Sequence, residues 1–90
     1  MARFPLGSIV ATPGALEALD ASGETPDLFL ARHAAGDWGE VGAADRRAND
    51  DALRNGERLL SAYTLRSGVK VWVITEADRS STCILLPSEY

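Results

Sequence analysis

Cysteine, histidine and lysine each occur once in the 90 residues, and aromatic side chains make up only 7%. Each scarcity excludes something. Cys83 has no second thiol with which to close an internal disulfide, form a redox pair or build a zinc cage. Its position inside the apolar run "TCILLP" marks it as a small buried residue. A lone His33 without paired ligand spacing offers no transition-metal site. Asp45, Asp50 and Asp51 lack the spacing of a calcium loop. "FPLG" and "TPG" hold too few glycines for a phosphate cradle, so no cofactor is expected. Long apolar runs are missing too, and the start "MARFPLGSIVATPG" has too short an apolar run for a signal peptide. The expectation is a cytoplasmic protein with no membrane partner.

Basic charge is also in short supply. Nine Lys and Arg residues stand against thirteen Asp and Glu, for a formal net charge of −4, and all the basic residues except Lys70 are arginines. A nucleic-acid module normally turns a basic face to phosphate, so this balance argues against one. "DRRANDDALR" dilutes its arginines with aspartates, which also argues against a major-groove helix.

What is present is an ordinary globular mixture, 46% hydrophobic and 24% charged. One domain over residues 1–90 is expected, with a modest core and a net stability of about 5 kcal/mol. "GSIVAT" reads as a short strand. Two helices follow, each opened by a Thr-Pro pair: Thr12-Pro13 with its stop at Gly23, and Thr25-Pro26 with its stop at Gly36. Ala15, Leu16 and Leu19 give the first a narrow apolar side, while Phe29 and His33 fall one turn apart on the second. A third helix, Val41 to Gly56, carries a thin stripe of Ala44, Ala48, Ala52 and Leu53 and is otherwise polar.

The last third turns β-branched and aromatic. "RLLSAYTL", "VKVWVIT" and "TCILLP", separated by "RSG" and "EADRSS", predict a three-stranded antiparallel meander. Val69, Val71 and Val73 share one face of its middle strand, and Lys70, Trp72 and Ile74 the other. The resulting fold class is α+β: two to three short helices on a three- to four-stranded antiparallel sheet. Because both sheet faces are partly apolar, the face without helices needs cover from the N-terminal segment or from a second copy in a homodimer. The closing "PSEY" is expected along the surface.

Two polar clusters carry the candidate chemistry. In "RHAAGDWGE", His33 has the ionisation of a general base and Asp37 is its candidate orienting partner. The plainer assignment has His33 stacked near Phe29 and bonded to helix-end carbonyls, Asp37 capping the next turn, and Trp38 sealing the junction of helices and sheet. In "TEADRSST", Glu76 and Arg79 offer a base and a phosphate clamp; the plainer assignment is a solvated hairpin in which Asp78 and Ser80 bond nearby amides. A compact toxin-type ribonuclease would combine His33, Glu76 and Arg79, with Arg66 or Lys70 holding phosphate.

The runs "FPLGSIVATPGALEAL", "FLARHAAGDWGE", "RLLSAYTLRSGVKVWVITEADRSSTCILLP" and "SEY" resemble a family of small bacterial proteins carried by plasmids and mobile elements, across nearly the whole length. That resemblance implies a bacterial accessory protein and transfers no catalytic residue. The leading expectation is therefore a non-enzymatic protein that binds another protein in a mobile-element or defence setting. Trp38, Arg46, Arg47, Asp50, Asp51, Asp78 and Arg79 are its expected contact residues.

Overall fold

A computed structural model describes residues 2–90. The N-terminal segment leads into strand β1 (Ser8–Ala11), followed by helices α1 (Pro13–Ser22), α2 (Pro26–Ala34) and α3 (Ala43–Asn55). Strands β2 (Leu59–Thr64), β3 (Lys70–Thr75) and β4 (Ser81–Leu85) come next, then a 3-10 turn at Pro87–Glu89. The four strands form one sheet in the order β1-β4-β3-β2. β2, β3 and β4 make the expected antiparallel meander. β1 departs from the all-antiparallel expectation by pairing with β4 in parallel. The three helices stand between β1 and the meander, and this long crossover is what returns the chain parallel.

Local chemistry explains the helix ends. Thr12 accepts the amide of Ala15 through its hydroxyl, with Pro13 behind it, and Gly23 and Gly56 close α1 and α3 in the left-handed conformation. Thr25 stands at the start of α2 but makes no side-chain cap, so Pro26 and the first-turn Asp27 define that end. On α3 the expected alanine stripe is displaced: Ala44 and Ala48 are exposed, whereas Asn49 and Ala52 are buried.

Alternation along the meander sorts the residues into two faces. Leu59, Ser61, Tyr63, Val71, Val73, Thr75, Thr82 and Ile84 point toward the helices and are all buried. One core cluster joins Ala15, Leu19, Phe29 and Leu30 to Tyr63, Val71, Val73 and Ile84. A second joins Phe4, Trp38, Val41, Ala52 and Leu59, and Leu6 packs against both.

The opposite sheet face holds Leu60, Trp72, Ile74, Cys83 and Leu85. Its cover comes from the C-terminal segment rather than from the N-terminal one. Tyr90 packs edge-on against Trp72 at 5.6 Å, and its hydroxyl accepts from Arg58 at 2.9 Å. Cys83 lies on this face half-buried, and partial burial pushes its thiol upward.

The outer edge of β2 is closed. Asn49 donates to the carbonyl of Leu60 at 2.7 Å and accepts its amide at 3.1 Å, so one side chain stands in for a neighbouring strand. Next along, the Ala62 amide donates to Trp38 O and the Glu40 amide donates to Ala62 O. Gly39 makes this bridge possible. It has φ +72°, and a Cβ there would lie 2.1 Å from the Ala62 carbonyl oxygen.

Candidate functional site

Helix α2 delivers His33 into the middle of the molecule, where the ring is fully buried. Its Nδ1 lies 2.6 Å from Ser61 Oγ on β2, and its Nε2 lies 2.9 Å from Thr75 Oγ1 on β3. Thr75 Oγ1 is 2.7 Å from Thr82 Oγ1 on β4, and Thr82 donates to the carbonyl of Leu6 at 2.7 Å. A proton order follows from counting hydrogens. Thr82 has one hydroxyl proton and gives it to Leu6, so Thr75 donates to Thr82. The Thr75 oxygen then accepts from His33 Nε2–H, which leaves Nδ1 to accept from Ser61. The network thus selects one tautomer of a neutral imidazole.

Aromatic rings close over it. Phe4 meets the imidazole edge-on at 5.2 Å and Trp38 at 5.7 Å, while Phe4 and Trp38 stack at 6.2 Å. The guanidinium of Arg79 sits 5.7 Å above the Phe4 ring. Burial lowers the His33 pKa to about 4, and the nearby positive charge of Arg79 adds to the effect. No buried side-chain polar atom among the described residues lacks a hydrogen-bond partner. This is a satisfied internal tie rather than an open acid–base site.

The expected partners of His33 are elsewhere. Asp37 accepts from Arg32 at 2.7 Å and from the Gly39 amide at 3.2 Å, and the Arg32 guanidinium holds its carboxyl below the ordinary range. Stacking on Phe29 does not occur. Phe29 instead meets Tyr63 at 5.4 Å, and the buried Tyr63 phenol, pushed up to about 12 by desolvation, donates to Asp37 O. Glu76 pairs with Arg58 at 3.1 Å beside Tyr90, on the sheet face opposite His33. Arg66 lies by Glu24 at 3.9 Å, and Lys70 is exposed at the start of β3 opposite Thr64. The five residues of the ribonuclease constellation are not gathered in one cleft.

Arg79 is an anchor. It occupies the left-handed region at φ 61°, where a non-glycine residue is strained. Its guanidinium donates to the carbonyls of Glu57, Glu76, Ala77 and Ala52. The Ala52 carbonyl is near the end of α3, so the β3–β4 hairpin is fastened to that helix. Asp78 stays exposed at the hairpin tip, its carboxylate accepting the Ser80 amide at 2.9 Å and held below the ordinary range by Ser80.

Of the expected contact residues, Trp38 is buried at 2% exposure and serves the interior, its indole N–H donating to Asp50 at 3.2 Å. Arg46, Arg47, Asp50 and Asp51 are exposed on α3. Asp51 pairs with Arg54 one turn along, and Arg46 reaches the Gly39 carbonyl at 3.4 Å. A cleft of about 440 Å³ opens beside this helix, lined by Arg3, Asp50, Leu53 and Arg54.

Three hydroxyls complete the histidine tie: Thr75 and Thr82, which bound the "TEADRSST" run without an expected link to His33, and Ser61, which lies in neither polar cluster. Their signal was positional: each sits on the buried face of its strand, Ser61 between Leu59 and Tyr63, Thr75 after Val71 and Val73, and Thr82 before Ile84. No group of three or more His, Cys, Asp or Glu side chains among the described residues is placed to hold a metal ion. No described helix is long and apolar enough to cross a membrane. No family model matches the chain, and neither a curated protein nor a solved structure matches it.

Proposed function

We propose that this chain is a small non-enzymatic binding protein of the bacterial cytoplasm, acting on another protein in a mobile-element or defence setting. Its contact face is the exposed side of α3 together with the β3–β4 hairpin. One observation carries the reading: Arg79 ties hairpin to helix through the Ala52 carbonyl, so Asp78 and the α3 charges belong to one fixed surface. That surface mixes Arg46, Arg47 and Arg54 with Asp50 and Asp51 beside a concave cleft. Mixed charge on a rigid face favours specific protein recognition over phosphate, which a net charge of −4 also disfavours.

The residues best suited to acid–base work give this reading indirect support. His33 is enclosed and neutral, and the Arg79 guanidinium already serves four carbonyls. The test is affinity capture from a bacterial host, with Arg47→Glu and Asp51→Arg as paired surface variants. A single protein retained by the wild-type chain and lost with either folded variant supports the proposal. Recovery of nucleic acid, or retention unaffected by both variants, overturns it.

A further inference from the structure

The two edges of the sheet are finished differently. Along β2, every outward backbone group of Leu60 and Ala62 has a partner, supplied by Asn49, Trp38 and Glu40. Along β1 nothing comparable occurs among the described residues. The amides of Ser8 and Thr12 donate inward to Ser80 and Ile84, so in this parallel pair the alternate residues, Ile9 and Ala11, turn their N–H and C=O groups outward. Ile9 is 53% exposed and Val10 51%. The strand carries no charge, no proline and no bulge; of the usual devices that blunt an edge it has only its length of 4 residues.

We infer that β1 is a self-association edge, pairing antiparallel with β1 of a second copy about a two-fold axis at Val10. In that register Ile9 and the partner copy's Ala11 exchange both backbone hydrogen bonds, and Ala11 and the partner copy's Ile9 do the same. The two Val10 side chains then meet across the axis on the sheet face free of helices. The sealed β2 edge decides how two copies can meet. A head-to-tail stack would need β2 to accept β1, and Asn49 and the Gly39 bridge occupy that edge; the remaining solution is a closed pair with an eight-stranded sheet. Gly7 and Pro13 bound the strand and keep the ladder short, so the pair is weak and depends on concentration.

Sedimentation equilibrium of the full chain from about 10 μM to about 1 mM, with amide hydrogen exchange at both ends, tests this. Mass should rise from one copy toward two, and the Ile9 and Ala11 amides should slow at the higher concentration. Ile9→Pro removes an amide the monomer fold does not use, and Val10→Lys sets like charges against each other across the axis; each should weaken pairing at least 10-fold while melting as a folded domain. A chain that stays monomeric throughout, as it would if the edge served a strand of another protein, overturns the inference. So does a dimer indifferent to both variants, or one protected at other amides.

Discussion

His33 and Arg79 sit at the centres of two polar clusters that look alike as sequence, yet one cluster has become interior and the other surface. At His33, four side chains from α2, β2, β3 and β4 share hydrogen bonds out of reach of water. At Arg79, a half-exposed guanidinium gathers carbonyls from a loop and a helix end. Both are ties between elements. What separates them energetically is desolvation: a polar group stranded inside costs more than one that water can reach.

That difference ranks the effects of breaking each tie. His33→Leu should be the most damaging, because it leaves the Ser61 and Thr75 hydroxyls without the ring; a loss of about 3 kcal/mol is expected in urea unfolding. Stability should also fall with acidity. The folded pKa of His33, about 4, lies below its ordinary 6.5, so the unfolded chain binds the proton first and stabilisation present above 6.5 is lost as the pH falls toward 4. Between pH 7 and pH 5 the expected loss is about 2 kcal/mol, and it should vanish in His33→Leu. The lowered carboxylates, Asp37 among them, act further into acid and leave this window to the imidazole.

Smaller effects belong to the surface tie. Arg79→Ala should cost about 1.5 kcal/mol, since water replaces part of what the guanidinium supplied. Arg79→Gly should be more stable than Arg79→Ala by about 1 kcal/mol, because glycine relieves the left-handed strain at φ 61°. Least of all, Glu76→Gln should cost about 0.5 kcal/mol, for its pair with Arg58 is exposed. Thermal or chemical unfolding of the four variants side by side checks the order; an Arg79→Ala loss equal to that of His33→Leu would erase the distinction between inside and outside.

Much of the framework was legible because it rests on local chemistry. Thr12-Pro13, Gly23 and Gly56 mark helix ends through capping and left-handed geometry, and Leu59-Ser61-Tyr63 alternates as a buried strand must. The parallel pairing of β1 was not legible, since it depends on where a three-helix crossover returns the chain. Nor was Asn49. A polar residue on a polar helix reads as solvated until the backbone of β2 is placed against it. The candidate site divides in the same way: the sealing role of Trp38 followed from its size and neighbours, but its burial conflicts with a place on the contact surface. The partners of His33 come from two strands far along the chain, with a third strand bonded behind them through Thr82, and no spacing rule connects them.

The most direct measurement is the state of the single imidazole, read from the ring nitrogen and carbon shifts of His33 by NMR as pH is lowered. A neutral ring protonated at Nε2, unchanged from about pH 7.5 to pH 5 and titrating near 4, is the expected result. A midpoint near 6.5 with exchange between tautomers would place the ring in contact with water and contradict its role as an internal tie.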